Sequence, residues 1–294
     1  MNDQAQSLRE LVKKTGNSGR TAPKTLRPPA KVICITSGKG GVGKSFFTVN
    51  LALALQQLGL AVMIIDADFG LANVDIMLGM PSRYNLSHLL SHEHTLAEIV
   101  QEWRGGIKFI SGGNGIGELL QMNEKQLAQI VDDLMLLNEP VDIILCDTGA
   151  GAGETVLRMA AAASETILVT TPEPTSLLDA YALLKALSQD SGAPSIRLVM
   201  NKAVSKNEAE NAINSFLGIT KKYLNKQVAP LGSILYDDEV ARSIKQQIPL
   251  LIAQPQNAAV RDIVTIAAAL AGLPAERKPA GQLAKLFSRW LKQA

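Results

Sequence analysis

An α/β fold, a mostly parallel sheet flanked by helices, follows from three features of the sequence. Short apolar runs alternate with longer stretches of helical spacing from residue 31 to residue 273. A glycine-rich loop, Gly38 to Ser45, stands between one such run and one such stretch. Two further apolar runs end in aspartates, at Asp66 and Asp147. Ligands of open α/β sheets bind beyond the carboxyl ends of the strands, so loop and aspartates are expected to share one crevice.

Taken in order, residues 1–14 are a mostly polar segment that could be helical, with Leu8, Leu11 and Val12 on one stripe. Residues 15–30 are rich in Gly, Ser, Pro and basic residues and read as a flexible linker. The core then runs from 31 to 273. Strands are predicted at 32–36, 61–65, 107–110, 142–146, 166–170, 196–200 and 228–234, each a short apolar run of the kind buried in parallel sheets. Helices are predicted at 45–58, 123–137, 154–163, 175–190, 207–222, 237–245 and 256–271. Residues 274–280 form a second, proline-containing linker, and 281–294 an independent terminal helix.

Composition sets limits on function. Hydrophobic residues make up 47% of the chain and aromatic residues 4%, so aliphatic packing should dominate a sizeable core. A net charge of +2 does not argue for nucleic acid. No uninterrupted apolar stretch is long enough to span a bilayer, and the N-terminus lacks the apolar core of a signal peptide. Cys34 and Cys146 both fall in predicted strands, as core thiols of a reducing compartment would, and two cysteines are too few for a cluster scaffold. His88, His92 and His94 lack metal-ligand spacing.

The loop has a specific chemistry. Gly38 to Ser45 fits G-x-x-x-x-G-K-[ST], the phosphate-binding loop of nucleotide triphosphatases. Gly40, Gly41 and Gly43 let backbone N–H groups turn inward onto phosphate oxygens. Lys44 is expected on the β- and γ-phosphates and the Ser45 hydroxyl on Mg²⁺. The helix that follows presents its N-terminal dipole to the anion. Lys39, directly after the first glycine, is a second lysine that the general motif does not require. Of the acids, an Asp at a strand end is by itself as readily a helix cap as a ligand. Asp66, Asp68 and Asp147 together, beside such a loop, suit binding of Mg²⁺-bound water or orientation of the attacking water.

Lys39-Gly-Gly-Val-Gly-Lys44, Asp66-x-Asp68 and Asp147-x-x-Ala-Gly151 resemble the ParA/MinD family of deviant-Walker ATPases. The resemblance implies a P-loop NTPase of the SIMIBI/MinD type that hydrolyses ATP to ADP. Nucleotide would be held by Gly38, Lys39, Gly40, Gly41, Val42, Gly43, Lys44 and Ser45, with Asn201 on adenine. Mg²⁺ would be served by Ser45, Asp66 and Asp147. Lys39 would reach across an ATP-bound homodimer to the partner's phosphates, Lys44 would act in catalysis, and Asp68 would position the attacking water. Two departures stand out. Ser45-Phe46 replaces the usual pair of threonines, keeping the ligating hydroxyl, and Thr148 precedes Gly149 in the second switch.

The ends narrow the resemblance further. Asp3-Gln4-Ala5-Gln6-Ser7-Leu8-Arg9 is similar to the N-terminal motif of the family's flagellar-number regulators, and residues 169–184 are similar to the same branch. The branch implies that Asp3, Gln4, Ala5, Leu8 and Arg9 engage a partner GTPase of the signal-recognition-particle type. Flagellar C-ring components or a flagellar transcription regulator are further implied partners. In residues 281–294, Leu283, Leu286, Phe287, Trp290 and Leu291 follow i, i+3, i+4, i+7, i+8 spacing, flanked by Lys285, Arg289 and Lys292. A basic amphipathic helix of this kind suits an anionic membrane surface. The expected location is cytoplasmic, peripheral on the inner face of the membrane, without sequence-specific nucleic-acid binding. Division-site selection of the MinD type and DNA segregation of the ParA type share the core chemistry. The N-terminal motif weighs against the first and the near-neutral charge against the second.

Overall fold

The computed structural model describes residues 30–68, 73–91, 93–104, 106–113, 141–188, 194–224 and 226–272. Segment 1–14, the linker through residue 29, the predicted helix 123–137, and segments 274–280 and 281–294 lie outside the described residues.

Eight described strands form one sheet: β1 Lys31–Ser37, β2 Val62–Ala67, β3 Gln101–Trp103, β4 Ile107–Ile110, β5 Ile143–Ala150, β6 Glu165–Thr170, β7 Ser195–Ala203 and β8 Val228–Leu235. Their order is β3-β4-β2-β5-β1-β6-β7-β8. Only the β3–β4 pair is antiparallel; every other pairing is parallel. β1 lies between β5 and β6, with the chain running outward to either side, so the loop after β1 opens at the point where strand order reverses.

The helices are α1 Lys44–Gln57, α2 Val74–Met77, α3 Leu86–Leu90, α4 Leu96–Ile99, α5 Glu154–Ala162, α6 Pro174–Leu187, α7 Lys206–Leu224, α8 Asp238–Lys245, α9 Leu250–Ala253 and α10 Ala258–Leu270. Alternation along β1 assigns the layers. Ile33 and Ile35 face α1 and α10, whereas Cys34 joins the core beneath α5, α6 and α7. α1 is buried from Lys44 to Leu55 because it lies between the sheet and α10, which explains why its sequence is apolar on all sides. A third cluster, with Leu86, Leu96 and Ile99, covers Met63, Ile65 and Ile144.

The seven predicted strands are present, and the six predicted helices within the described residues are present. Boundaries moved where side chains cap. Asp237 accepts from the Glu239 N–H to start α8, Asn257 accepts from the Ala259 N–H to start α10, and Pro174 opens α6. β3, α2, α3, α4 and α9 are additions, all too short to impose a period. β3 forms as an edge strand anchored by buried Trp103, whose Nε1–H donates to the Leu78 carbonyl at 2.7 Å. The histidine segment has structural tasks. His88 completes a capping box with Asn85, and His94 stacks on Tyr84 with ring centroids 3.8 Å apart.

Candidate active site

β1 delivers the loop, β2 delivers Asp66 and Asp68, and β5 delivers Asp147. β2 and β5 are neighbours in register, so Asp66 and Asp147 sit opposite each other at the carboxyl edge, both fully buried. Two such carboxylates raise each other's proton affinity, and burial raises it further. Asp147 lies above the usual carboxylate range for want of solvent, with Lys44 and hydrogen bonds from Ser45 and Thr48 pulling the other way. Asp66 is pushed up to about 7 by burial and by Asp147, against the pull of three backbone N–H groups.

Lys44 Nζ lies 4.0 Å from Asp147 Oδ1, its side chain almost wholly buried. Thr48, one turn further along α1, donates its hydroxyl to Asp147 Oδ1 at 3.0 Å. Asp147 Oδ2 is buried and has no partner among the described residues. A carboxylate oxygen in that condition, beside a serine hydroxyl and a lysine, fits a divalent cation or its bound water. Ser45 and Asp147 therefore fit the magnesium expected with a nucleoside triphosphate. Thr148 is tied down, its hydroxyl donating to the Ile35 carbonyl at 3.2 Å. The Gly149 carbonyl lies within reach of the same hydroxyl, at 3.0 Å.

Asp66, expected to serve Mg²⁺, is engaged with backbone amides of its own chain. Its Oδ1 accepts the Asp68 N–H at 3.1 Å, and its Oδ2 accepts those of Asn73 and Val74 at 2.8 and 3.0 Å. Asp66 thereby holds both ends of the 68–74 segment, as a buried acceptor of backbone amides. Asp68 itself lies over the second switch: a Cβ added at Gly149 would stand 3.6 Å from Asp68 Oδ1.

Asn201, expected on adenine, is anchored to the loop. It is buried at the carboxyl end of β7, and its Nδ2 donates to the Val42 carbonyl at 2.7 Å. Its Oδ1 accepts the Lys202 N–H at 2.9 Å. The amide therefore grips the phosphate loop. Lys202, which the sequence reading did not single out, donates from Nζ to the Gly41 carbonyl at 2.7 Å. Gly38 is a position of close approach: any Cβ there would collide with the Asp179–Ala180 backbone of α6. Gly43 adopts φ +92, and a Cβ there would meet Asn201 Nδ2.

Lys39 reaches the start of α6. Its Nζ donates to Thr175 Oγ1 at 3.1 Å and pairs with Glu173 Oε2 at 3.3 Å. β6, which leads into Glu173, neighbours β1, which explains how residues so distant in sequence meet. The pair is exposed, and exposed ion pairs are worth only about 0–1 kcal/mol, so it exchanges readily.

The two buried acids make a pH prediction. A carboxylate whose folded pKa lies above its unfolded value contributes stability that is complete below the unfolded pKa. That contribution is lost as pH rises through the folded value. For Asp66 the window runs from 3.8 to about 7. The nucleotide-free protein should therefore melt at a lower temperature at high than at mildly acidic pH. Asp66→Asn, which titrates no longer, should flatten that slope while lowering the plateau through loss of an acceptor. Calorimetry across the window checks this, and an unchanged slope in the variant would place the titration elsewhere.

A family model of ParA type, described as the NUBPL iron-transfer P-loop NTPase, matches residues 29–271. The chain is 34% identical over 255 residues to the antiactivator FleN of Pseudomonas aeruginosa, covering 87% of this chain and 91% of that protein. It is 33% identical over 268 residues to the flagellum site-determining protein YlxH of Helicobacter pylori, covering 89% of this chain and 90% of that one. Among solved structures, the septum site-determining protein MinD of Pyrococcus horikoshii, complexed with Mg-ADP, superposes with a TM-score of 0.68 at 21% identity. That match covers 88% of this chain and 98% of the other.

Proposed function

The chain belongs to the ParA family of P-loop NTPases and is an ATPase, and from that premise we propose that it is an ATP-driven switch governing flagellar number and placement. ATP with Mg²⁺ brings two copies together, hydrolysis separates them, and the paired form sits on the inner face of the cytoplasmic membrane. Support for the flagellar assignment is the similarity along nearly the whole chain to an antiactivator and a flagellum site-determining protein.

The observation that carries the switch is Lys39. Its ammonium is engaged by Glu173 and Thr175 of its own chain, through contacts weak enough to be given up. On pairing, Lys39 leaves them for the phosphates of the second copy. Lys44 and the loop amides hold the β- and γ-phosphates, and Ser45 and Asp147 serve Mg²⁺. Held by Ser45 and Asp147, Mg²⁺ would offset negative charge developing on the phosphates. Asp68, half-buried over Gly149, orients the water that attacks the γ-phosphate. Asp66 keeps Asp68 in place through its backbone N–H.

The two terminal segments carry the outputs in this reading. Residues 1–14, with Asp3, Gln4, Ala5, Leu8 and Arg9, stimulate an SRP-type partner GTPase. Residues 281–294 bind anionic lipid through Leu283, Leu286, Phe287, Trp290 and Leu291, and two weak anchors on one dimer gain avidity. Two truncations of the full chain separate these tasks. Removing 1–14 should abolish stimulation of GTP turnover by the partner and leave ATP-dependent sedimentation with anionic vesicles intact. Removing 281–294 should do the reverse. If either truncation leaves both readouts unchanged, that segment does not carry its assigned output.

A further inference from the structure

We propose that Asn201 and Lys202 form a brace that sets the phosphate loop's amides before nucleotide arrives, with Lys202 as a positioning residue for the bound phosphates. The inference rests on nucleotide binding at this loop and goes beyond it. A trans peptide plane holds its C=O and the following N–H in opposite directions. Fixing a carbonyl from outside therefore aims the next amide the other way. Lys202 fixes the Gly41 carbonyl, which orients the Val42 N–H. Asn201 fixes the Val42 carbonyl, which orients the Gly43 N–H. Ser37 Oγ does the same to the Lys39 carbonyl at 3.0 Å, orienting the Gly40 N–H. Three side chains thus act on three carbonyls of a loop whose function lies in its N–H groups.

Such fixing matters at this loop in particular. Gly41 and Gly43 have φ of +76 and +92 and no Cβ, so the planes beside them turn over easily without a restraint. The brace also shows in the backbone that supplies it. Lys202 adopts φ +58, a left-handed conformation that a lysine rarely takes and a glycine takes freely. The β7–β8 register breaks between Met200 and Ala203, which releases Asn201 and Lys202 from the ladder. The Lys202 N–H returns to Asn201 Oδ1, so the two residues move as one unit. Backbone shape alone would favour glycine at 202; the amine is what a lysine adds there.

The test compares full-length wild type with Lys202→Gly and Lys202→Arg. Glycine accepts the local backbone, so the variant should melt no lower than wild type. Even so, its affinity for MgADP by calorimetric titration should fall about tenfold, the scale of one charge-assisted hydrogen bond. The KM for ATP should rise by a similar factor with kcat nearly unchanged. Amide exchange across residues 38–45 of the nucleotide-free protein should quicken, and Lys202→Arg should recover most of the affinity. MgADP binding within twofold of wild type, or unaltered exchange in the loop, would overturn the brace. A loss of affinity that vanishes in high salt would also overturn it, assigning Lys202 to long-range attraction of phosphate. Failure of wild type itself to bind MgADP would instead remove the nucleotide reading on which the proposal rests.

Discussion

Asp68→Ala should bind ATP as wild type does and hydrolyse it at least about 100-fold more slowly, the usual scale for loss of a group that orients or accepts from the nucleophile. The geometry separates Asp68 from binding. It is half-buried over Gly149, and only its backbone N–H is used by Asp66, a bond that alanine keeps. With release by hydrolysis blocked, ATP-bound dimers should accumulate. Size-exclusion chromatography in ATP, run beside a phosphate-release assay, reads both effects. Normal hydrolysis by this variant would remove Asp68 from the reaction.

Lys44→Ala should act in the opposite direction on assembly. Lys44 is the buried cation closest to Asp147, at 4.0 Å, among the ion pairs of the described site. Its removal takes positive charge from the β- and γ-phosphates and leaves the Asp147 carboxylate without its counter-charge. A buried charge stripped of its partner is a severe loss, several times that of an exposed pair. ATP affinity should fall at least about 100-fold, and no dimer should form at ATP concentrations that saturate wild type. Equilibrium binding of a fluorescent ATP analogue, with the same chromatography, checks this. Retained ATP-driven dimerisation would mean that the loop amides alone hold the phosphates.

Much of the site was legible because its chemistry is local. The loop is a contiguous stretch, and each aspartate announces itself as the polar end of an apolar run. Sheet order then brought Asp66 and Asp147 into register, which no single segment specifies. What the sequence concealed was the task of each oxygen. Asp66 and Asp147 look alike as strand-end acids, yet one accepts three backbone N–H groups and the other keeps a buried oxygen without a hydrogen-bond partner among the described residues. The difference comes from the return of the chain at Asn73–Val74, set by a helix of four residues that is too short to show a period. Asn201 has a contact that its sequence position does not announce. The approach of β7 to the loop puts its amide on the Val42 carbonyl, a contact between residues 159 positions apart. Lys39's contacts with Glu173 and Thr175 required knowing that β6 neighbours β1.

Control of flagella by this ATPase would show in the number of flagella per cell after deletion of its gene. The account predicts cells with an altered number or position of flagella and normally placed division septa, restored by the wild-type gene and not by the Lys44→Ala form. Normal flagella together with misplaced septa would contradict it and assign the same chemistry to division-site selection.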